Sequence, residues 1–386
     1  MPDRLSAECQ LRIGGGRAMA EFRVAILGCT GRGDYGHGLD AVWRTFENCE
    51  VVAVADPDEP GRARAQERTG AARAYADYRE LLQRERPQIT AICPRWVDQH
   101  RDMVLACAEV GSHMYMEKPF CRTLGEADEM LRACEMRHLK LAVAHISRWS
   151  PQLDQIRRLI SGGEIGDVLE IRARGKEDGR GGGEDLWVLG THVLDLMRAL
   201  GGEPEGCFAE LSQQGQRVSG SHVRDGNEGL GPLAGDRVDA MYMFRGGVRG
   251  YFSSRRGAGG SPSRFGLRVL GTKGVIEHTS GFGNPAWLLR DVRWGGPGVE
   301  SGWQPISSQG LGQPEVLTAT GYEGGNPAAA LDLMESIRRD RQPKCSMYEA
   351  RGAVELVLAA FESHVQGGPV ALPLQVRDNP LSRLSR

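Results

Sequence analysis

The feature that most constrains this chain is a short apolar run that stops at a cluster of glycines near the start of the sequence. Residues 22–27 read as a β-strand, and the segment after them is Gly28-Cys29-Thr30-Gly31-Arg32-Gly33-Asp34-Tyr35-Gly36. A strand, a glycine turn and then a helix, predicted here for residues 39–46, begin a doubly wound α/β sheet. Thr30 stands where the middle glycine of such turns usually lies. Either Gly31 makes the turn or the Thr30 hydroxyl contacts a phosphate, and a turn that binds nothing is the alternative.

The second apolar run ends in an acidic residue. Residues 51–55 are followed by Asp56, about 20 residues after Gly33, a spacing at which a carboxylate hydrogen-bonds the ribose of a dinucleotide. A carboxylate repels a 2′-phosphate, and the next basic residue is Arg62. The two runs therefore predict a dinucleotide site that prefers NAD to NADP. The alternative for Asp56 is a turn or cap residue before Pro57.

The alternation of short apolar runs with amphipathic segments continues to about residue 147. Helices are predicted at residues 61–68, 77–84, 97–109 and 124–137, and strands at 89–93, 113–116 and 139–144. This order is typical of a parallel sheet of about six strands with helices on both faces. We predict an α/β Rossmann nucleotide-binding domain over residues 22–147. Residues 1–21 before it, which include a second methionine at Met19, are expected to be a disordered extension or to follow an upstream start codon.

A lysine stands at the end of one of these strands. The tripeptide Glu117-Lys118-Pro119 follows the apolar segment 113–116. The ammonium group of Lys118 would lie at the carboxyl edge of the parallel sheet, where open α/β folds bind ligands, and the proline stiffens the chain beyond it. This position predicts a functional lysine, and an exposed cation paired with Glu117 is the alternative.

Several motifs make the chain resemble the glucose-fructose oxidoreductase and inositol dehydrogenase family, called Gfo/Idh/MocA, from about residue 22 to residue 373. These motifs are Pro94 with His100, then Glu117-Lys118-Pro119, then Arg148 with Pro151. The resemblance implies that the Pro94 segment lies under the nicotinamide end of the cofactor, that Lys118 reaches the substrate hydroxyl, and that the Lys118–Pro119 bond is cis. For His100, a half-buried helix residue is the alternative. The expected cofactor-binding residues are Gly28, Thr30, Gly31, Arg32, Gly33, Asp56, Pro94, Arg95, His100, Glu117 and Lys118.

Beyond residue 147 the pattern changes to strands with few helices between them. Helices are predicted at residues 152–161, 186–200, 328–339 and 348–364, and strands at 168–174, 207–211, 238–244, 248–253, 265–270, 275–278 and 287–291. This predicts an α+β domain, residues 148–373, with one large, mostly antiparallel open sheet, and then a tail of residues 374–386. Loops 214–237, 255–263 and 295–315 would cover the cleft or build a subunit contact, and the last two helices would return to the nucleotide domain.

The helix after a glycine-rich loop, residues 179–184, carries further candidates for chemistry. In the resembled family this segment usually reads Asp-x-Gly-x-His-x-x-Asp. Here Gly190, His192 and Asp195 match, but Val188 stands in place of the first aspartate. An imidazole titrates near neutral pH, so we predict His192 as the base that takes the proton of the reacting hydroxyl. Lys118 would stabilise the developing alkoxide and relay the proton.

Five residues are candidates for substrate binding. Arg148 and Trp149 lie at the domain junction, Asp195 follows His192 closely, and Glu184 and Asp185 precede the helix and would replace the missing carboxylate. Asp195 would orient His192 or anchor a substrate hydroxyl. The structural alternatives are a packed junction residue for Trp149, a surface or cap carboxylate for Asp195, and solvated loop acids for the other two.

Composition restricts the classes of function. Lys+Arg 48 against Asp+Glu 50 leaves no strong field for nucleic acid or a membrane surface, and no apolar run reaches the roughly 18 residues of a membrane span. The nine cysteines are scattered without a Cys-x-x-Cys pair, which predicts a reduced cytoplasmic protein. The spacing of histidines and cysteines indicates no metal site.

These observations and the resemblance together predict an NAD-dependent oxidoreductase. It would transfer a hydride between nicotinamide and a secondary hydroxyl or ketone of a sugar, glycoside or cyclitol. Two alternatives stay open: cleavage of a glycoside through a transient keto-sugar, and a non-catalytic sensor that keeps the cofactor and sugar cleft and acts through protein contacts. The resemblance also implies a homodimer or homotetramer formed through the open sheet face.

Overall fold

The first part of the chain folds as a parallel sheet. The structure, a computed structural model, describes residues 20–296 and 302–384, so the predicted extension lies almost wholly outside the described residues. The strands are β1 (Phe22–Leu27), β2 (Cys49–Ala55), β3 (Arg73–Tyr75), β4 (Ile89–Ile92), β5 (His113–Met116) and β6 (Leu141–Val143). They pair in parallel in the order β3-β2-β1-β4-β5-β6. This confirms the predicted Rossmann sheet, although the short, exposed β3 carries no apolar run and was not predicted.

Four α-helices connect these strands, and their ends follow local sequence signals. They are α1 (Glu59–Thr69), α2 (Tyr78–Glu85), α3 (His100–Val110) and α4 (Leu124–Glu135). Asp58, Asp77 and Thr123 cap α1, α2 and α4 by accepting hydrogen bonds from backbone N–H groups of the first turn. Helices α1 and α3 end at Gly70 and Gly111, both in the left-handed conformation that glycine adopts without strain.

The helix predicted for residues 39–46 is wrong. Only Val42–Thr45 forms a short 3-10 helix. In the segment before it, Gly31, Gly33, Gly36 and Gly38 all have positive φ, so no right-handed helix precedes Leu39, and the turns of this segment continue to Ala41. Residues 28–41 form successive turns, and the end of β1 therefore faces these turns and not the N-terminus of an α-helix.

The second part of the chain forms a large mixed sheet. Its strands and the adjoining hairpins are β7 (Val168–Arg174), β8 (Pro204–Gln213), β9 (Gln216–Arg217), β10 (Arg224–Gly226), β11 (Gly231–Leu233), β12 (Arg237–Phe244), β13 (Arg249–Arg255), β14 (Gly266–Gly271), β15 (Val275–Thr279), β16 (Ala286–Leu289), β17 (Gln304–Ser307), β18 (Gly310–Leu311) and β19 (Val370–Ala371). The sheet runs β18-β17-β16-β15-β14-β7-β13-β12-β8-β19, with β9 paired to β8, while β10 and β11 form a separate hairpin. Apart from the parallel pair β7 and β13 it is antiparallel, which confirms the predicted open sheet.

One face of this sheet is covered by helices. The helices on this face are α5 (Pro151–Ser161), α6 (Gly183–Val188), α7 (Gly190–Gly201) and α9 (Met347–Gln366), while α8 (Gly321–Arg338) packs on the first sheet. Helix α9 packs on β8 and helix α7 packs on β7. In β12 alternate side chains from Val238 to Phe244 are buried, because successive side chains of a strand point to opposite faces. No helix of the described residues covers the other face of the sheet.

The single helix predicted for residues 186–200 is divided. Helices α6 and α7 meet at Leu189, whose φ of −123° departs from helical geometry. This break turns the carbonyl of Val188 out of the helical hydrogen-bond pattern and makes it available to a side chain, as described below. Two loops also contain short strands: 214–237 holds β9, β10 and β11, and 295–315 holds β17 and β18, with residues 297–301 outside the described range.

The C-terminal helices contact both sheets. Helix α8 packs beside β5 and β6, and Tyr115 of β5 donates a hydrogen bond of 2.8 Å to Asn326 of α8. The segment expected to be a tail is packed through residue 384, with Leu381 fully buried. Among the described helices, none is both long and apolar enough to cross a membrane. The eight cysteines in the described part are unpaired thiols, and the cytoplasmic location stays a prediction.

Candidate functional site

Lys118 lies where the sequence placed it, at the carboxyl end of β5. The Lys118–Pro119 peptide bond is cis. The side chain is 6 % exposed, and its Nζ donates a hydrogen bond of 2.9 Å to the carbonyl oxygen of Val188 at the break between α6 and α7. Burial lowers the pKa of the lysine, and the carboxylates of Glu117 and Glu228 oppose this shift. The ammonium group is therefore held inside the cleft by a carbonyl and closer to neutrality than a solvated lysine.

Glu117 is fully buried behind the lysine. Its Oε1 accepts hydrogen bonds from the backbone N–H of His37 at 2.9 Å and from His37 Nδ1 at 2.6 Å, and its Oε2 accepts from the Lys118 N–H. Burial alone would raise the pKa of this carboxyl, but the hydrogen bonds and charge of His37 outweigh burial and lower it. Gly36 makes this contact feasible, since a Cβ there would meet the Glu117 side chain at 2.6 Å. The glycine turn and the lysine segment are thus joined through Glu117.

His192 stands on α7 next to Lys118. Its ring is 5.2 Å from that of His145 and 6.4 Å from that of Phe265, both edge-on. Burial lowers its pKa well below the usual value, and the nearby Lys118, His145 and His37 lower it further. The imidazole makes no hydrogen bond to any other residue that the structure describes. His192 is therefore a neutral, unengaged hydrogen-bonding group in the cleft.

Arg148 and Asp195, both predicted as substrate contacts, bind each other. Arg148 Nε donates to Asp195 Oδ2 at 2.6 Å and its Nη2 donates to Oδ1 at 2.9 Å, and both side chains are buried. This bidentate ion pair ties the segment after β6 to helix α7. It fixes the backbone of the helix that carries His192, and the two Asp195 oxygens are engaged by the arginine.

The acidic residues expected to replace the missing aspartate are bound elsewhere. Asp185 is fully buried and accepts hydrogen bonds from Ser254 Oγ at 2.5 Å and from the backbone N–H of Glu177 at 3.0 Å, and burial raises its pKa. Glu184 accepts from Asn227 Nδ2 at 2.9 Å. In place of the predicted substrate contacts, both carboxylates hold loops, because their oxygens face protein donors on neighbouring strands and turns.

Trp149 packs at the domain junction. It is 5 % exposed, and its Nε1 donates a hydrogen bond of 2.9 Å to Asp332 of α8. The indole therefore connects the start of the second domain to the C-terminal helices, which matches the structural alternative for this residue.

Asp56 lies at the end of β2, within the turns after β1. Its carboxylate accepts from Tyr35 Oη at 2.8 Å, from Thr30 Oγ1 at 2.7 Å and from the Thr30 N–H at 3.1 Å, and the Asp58 N–H also donates to it. It borders a cavity of about 270 Å³ that is lined as well by Gly28 and by residues 76–79. This cavity is at the carboxyl edge of the sheet, where the adenosine end of a dinucleotide binds in doubly wound folds.

The turn after β4 connects the two ends of this edge. His100, fully buried, places its ring nitrogens 2.7 Å from the Pro94 carbonyl oxygen and 2.8 Å from that of Pro119. It thereby joins the Pro94 turn to the lysine segment. At Gly33 the glycine turn comes so close to the next segment that a Cβ would clash with the backbone nitrogen of Arg95. Arg32 pairs with Asp98 and stacks on the Trp96 ring.

Several buried polar atoms around the cleft have no hydrogen-bond partner among the described residues. They are Nε of Arg95, Oδ1 of Asp98, Nε2 of His145 and Oγ1 of Thr191. Buried polar atoms are normally satisfied, so those of Thr191 and His145, which neighbour His192, and of Arg95, which acts electrostatically on Lys118, mark places for a polar ligand or water. The donors and acceptors are mixed, which suits a ligand that carries hydroxyl groups.

His145, Asp195 and Cys345 form a buried cluster in which a ligand atom of each lies within 4.8 Å of the others. Burial lowers the pKa of His145 to about 4, so its ring is neutral. The Asp195 oxygens are taken by Arg148, whose positive charge opposes a bound cation. The expectation of a site without metal stays a prediction.

Four residues at the site were not predicted. His37 stacks on Tyr322 of α8 at 4.3 Å, and Arg180 and Glu228 act electrostatically on Lys118. His37 and Arg180 stand within glycine-rich segments, which is a signal that the sequence does contain. Tyr322 and Glu228 lie far from Lys118 in the chain, and only tertiary folding brings them to it.

A parallel sheet with a buried lysine at its carboxyl edge and a neutral histidine near that lysine, followed by an open mixed sheet, defines a two-domain protein of the Rossmann class. The chain belongs to the Gfo/Idh/MocA family. Residues 22–145 match the model described as oxidoreductase family, NAD-binding Rossmann fold, and residues 153–277 match the C-terminal domain of the same family.

The relatives of this chain are named dehydrogenases. It is 29% identical to D-apiose dehydrogenase of Paraburkholderia graminis over 52% of this chain and 56% of the relative. It is 28% identical to levoglucosan dehydrogenase of Pseudarthrobacter phenanthrenivorans over 59% of this chain and 64% of the relative. The matched segments thus span little more than half of these relatives. Myo-inositol 2-dehydrogenase of Thermotoga maritima is 25% identical over 60% of this chain and 69% of its own length.

Solved structures share the whole fold. Levoglucosan dehydrogenase in complex with NADH and levoglucosan superimposes with a TM-score of 0.71 over 91% of this chain and 99% of its own, at 21% identity. An oxidoreductase from Agrobacterium radiobacter in complex with NAD+, L-tartaric acid and magnesium gives 0.69 over 91% of this chain and 98% of its own, at 18% identity. At these identities the likeness shows the fold alone.

Proposed function

We propose that this protein is an NAD-dependent dehydrogenase that oxidises a secondary hydroxyl, or reduces the matching ketone, of a sugar, glycoside or cyclitol. The observation that carries the proposal is the electrostatic proximity of His192 to Lys118, which lies at the carboxyl edge of the nucleotide-binding sheet, together with nearby buried polar atoms that lack partners among the described residues. Relatives named for levoglucosan, D-apiose and myo-inositol support a polyhydroxylated neutral substrate.

The residues around the edge fit a dinucleotide. The cavity beside Asp56 is of a size for a nucleoside end, and the orphaned Nε of Arg95 lies in the segment between the glycine turn and Lys118. Asp56 would exchange one of its present partners, Thr30 or Tyr35, for the ribose hydroxyls. Bound NAD would supply the acceptor for the hydride that leaves the carbon bearing the hydroxyl.

The separate roles that we propose for His192 and Lys118 follow from their burial. His192 was predicted to be the base, but burial and the neighbouring Lys118 lower its pKa well below neutrality, so a protonated imidazole there is unfavourable. Lys118 also has a lowered pKa, so its neutral amine is favoured more than in a solvated lysine. We therefore propose that Lys118 Nζ receives the hydroxyl proton and that neutral His192 orients the hydroxyl by a hydrogen bond.

The hydrogen bond from Lys118 to the Val188 carbonyl is compatible with this role. A neutral amine can donate one N–H to that carbonyl, 2.9 Å away, and direct its lone pair to the substrate. After it receives the proton, the ammonium group keeps the same carbonyl partner and stabilises charge in the cleft. Val188 thus contributes a backbone acceptor at the position where the family usually has a carboxylate side chain.

The first test is turnover. NADH formation would be followed with sugars, glycosides and inositols, levoglucosan and D-apiose among them, for the wild type, Lys118→Met and Lys273→Met. Lys273 is exposed and serves as the matched control. We expect Lys118→Met to lower kcat/KM by about 10²- to 10⁴-fold, the usual contribution of a proton-transfer group, and to leave NAD binding intact.

The pH profile adds a signature. Because oxidation requires the unprotonated amine, the rate should rise with pH through the lowered pKa of Lys118, and this rise should be absent from Lys118→Met. If NAD binds but no compound is oxidised and no ketone is reduced, the dehydrogenase proposal is rejected and the sensor alternative is favoured. Accumulation of an eliminated aglycone would instead favour cleavage through a keto-sugar.

We further propose a homodimer or homotetramer through the open face of the large sheet. Registered neighbours place a continuous row of side chains across that face, namely Phe208, Met241, Tyr251, Arg172, Arg268, Glu277 and Trp287. Phe208 and Trp287 are 44 % and 39 % exposed. Large aromatic side chains in such a row are typical of a surface that is buried by a partner.

A further inference from the structure

The cleft has cations but lacks the acidic group that the family helix usually supplies. Val188 presents a buried apolar side chain, while Arg180 and Arg95 act electrostatically on the Lys118 ammonium group. Glu184 and Asp185 are engaged by other donors. A hydroxylated substrate needs acceptors as well as donors, and a cleft with only cations would favour anions instead.

One turn of the second domain, termed the closing turn, packs against the nucleotide domain. The turn Asn227–Gly229 packs against the turn Val97–Gln99 that follows the Pro94 segment. At Gly229 the approach is so close that a Cβ would lie 2.7 Å from Asp98 Cγ. Leu230 and Leu233 are buried behind it. The turn is therefore pinned on both sides and cannot be a freely solvated loop.

The same turn is tied to the helix that lacks the aspartate. Asn227 Nδ2 donates a hydrogen bond of 2.9 Å to Glu184 Oε1, and Arg224 lies 3.4 Å from Glu184 Oε2. Glu184 belongs to α6, the helix that ends at Val188. The turn thus has a fixed position relative to the Val188 carbonyl that binds Lys118.

Glu228 lies at the centre of this turn. Its backbone is in the left-handed region, with φ 55° and ψ 26°, a conformation that is strained for a non-glycine residue. Its side chain is half-buried and makes no hydrogen bond or ion pair with the residues that the structure describes. It acts electrostatically on both Lys118 and Arg180. An unpaired carboxylate in a strained conformation beside two cations is an arrangement typical of a functional group.

We propose that Glu228 supplies, from the closing turn, the carboxylate that position 188 does not, and binds a substrate hydroxyl next to the one that reacts at Lys118. This rests on the proposed function. The acceptor selects neutral polyols, because a sugar acid in the same place would bring a second carboxylate against it. Glu228 also acts electrostatically on Lys118 from the second domain, whereas the other acidic neighbour, Glu117, belongs to the nucleotide domain.

The closing experiment measures Lys118 directly and needs no substrate. Competitive labelling with a small acylating reagent across pH, read by mass spectrometry, gives the pH midpoint of Lys118 reactivity in the wild type, Glu228→Gln and Asp225→Asn. The charges that face the lysine are Glu117 and Glu228, which raise its pKa, and Arg180 and Arg95, which lower it. His145 and His192 on the other side carry little charge, because burial lowers the pKa of both.

Removing the Glu228 charge should move the Lys118 midpoint to lower pH, by about half a unit or more. Asp225, exposed in the same loop, is the matched control and should leave the midpoint unchanged. Thermal unfolding of each variant checks that the fold is kept. An unchanged midpoint in Glu228→Gln, or an equal shift in both variants, overturns the proposal whether or not a substrate is known.

With a substrate in hand, a second measurement separates binding from positioning. Glu228→Gln should raise KM about 10-fold or more, the value of a lost charge-assisted hydrogen bond, and should improve relative activity on sugar acids. Glu228→Asp should recover part of the loss. If Lys118→Met abolishes turnover while Glu228→Gln leaves KM and selectivity as in the wild type, the dehydrogenase stands and the role of Glu228 is rejected.

Discussion

At the scale of single residues, the charged groups near the cleft divide into those bound to protein and those left free. Arg148 and Asp195 satisfy each other at the domain junction, and Asp185 is held by Ser254 and backbone N–H groups. Glu117 is held by His37. Lys118, with one bond to a carbonyl, and His192, with no bond among the described residues, keep hydrogen-bonding capacity for a ligand. A buried polar group without a hydrogen-bond partner lowers the stability of the fold, and such a group is tolerated where a ligand supplies the missing partner.

The ion pair between Arg148 and Asp195 should be structural. Asp195→Asn leaves the arginine buried without its counter-charge, and we expect it to lower the free energy of unfolding by about 3–5 kcal/mol. Urea unfolding followed by circular dichroism measures the change.

The control for that change is an exposed pair. Arg237 and Asp239 are 54% and 45% exposed, and Asp239→Asn should change the free energy of unfolding by less than about 1 kcal/mol. If Asp195→Asn also lowers the free energy of unfolding by less than about 1 kcal/mol but abolishes activity, the structural role is contradicted and a role for Asp195 in substrate binding is favoured.

At the scale of elements, the glycine turn after β1 determines how the nucleotide edge is built. A right-handed helix over residues 39–46 was expected because most relatives of this fold pass from the turn into a helix. The run of left-handed glycines instead lays the turn against the Pro94 segment and lets Glu117 reach His37. The phosphate end of a dinucleotide would then meet backbone N–H groups of these turns.

Two glycines of this turn make a matched pair for a test. Gly31 and Gly33 both have positive φ, 81° and 90°, so alanine at either site costs about 1–2 kcal/mol of backbone strain. At Gly31 nothing lies within 4 Å of an added Cβ, whereas at Gly33 it would clash with the backbone of Arg95 and Trp96. We expect Gly33→Ala to weaken NAD binding by about tenfold or more beyond Gly31→Ala, measured by fluorescence titration.

The difference in NAD affinity between the two variants is the informative quantity, because alanine at either position adds the strain of a left-handed backbone. Equal affinities for NAD in Gly31→Ala and Gly33→Ala would show that the close approach to the Pro94 segment does not matter for the cofactor.

At the scale of the whole molecule, the open sheet face and the cleft lie on different sides of the second domain. Helices α7 and α9 cover the face toward the core, and the row from Phe208 to Trp287 lies on the other. An association through that row would leave the cleft accessible. It would also hold rigid the sheet from which the closing turn, residues 227–229, extends.

Light scattering after gel filtration tests this association. We expect the wild type to have the mass of a dimer or tetramer, and Phe208→Glu with Trp287→Glu to lower it, because two buried charges would replace aromatic contacts. Leu331 on α8, 50 % exposed, is the control, and Leu331→Glu should keep the wild-type mass. A monomeric wild type, or loss of the assembly in the control alone, would contradict the proposed interface.

The amino-acid sequence by itself determined the parts of this protein that depend on local patterns. Apolar runs that end in glycine or aspartate specify parallel strands, and alternating strands specify an open sheet, so both sheets and Lys118 at the edge of the first were predictable. The motifs that carry the family resemblance are local in the same sense. The pairing of Lys118 with the helix of His192 also followed, because the family pattern relates the two segments.

What only the tertiary structure decided is which charged groups find a partner. Nothing near Asp195 in the chain indicates that Arg148 will take its carboxylate, and nothing near Val188 indicates that its carbonyl will receive Lys118. Burial then lowers the pKa of His192, and we therefore assign to Lys118 the role of base that was predicted for His192. Glu228 acts electrostatically on Lys118 although the two residues are more than a hundred positions apart in the chain. Such pairings depend on distances and burial that arise only when the whole chain folds, and residue order alone does not contain them.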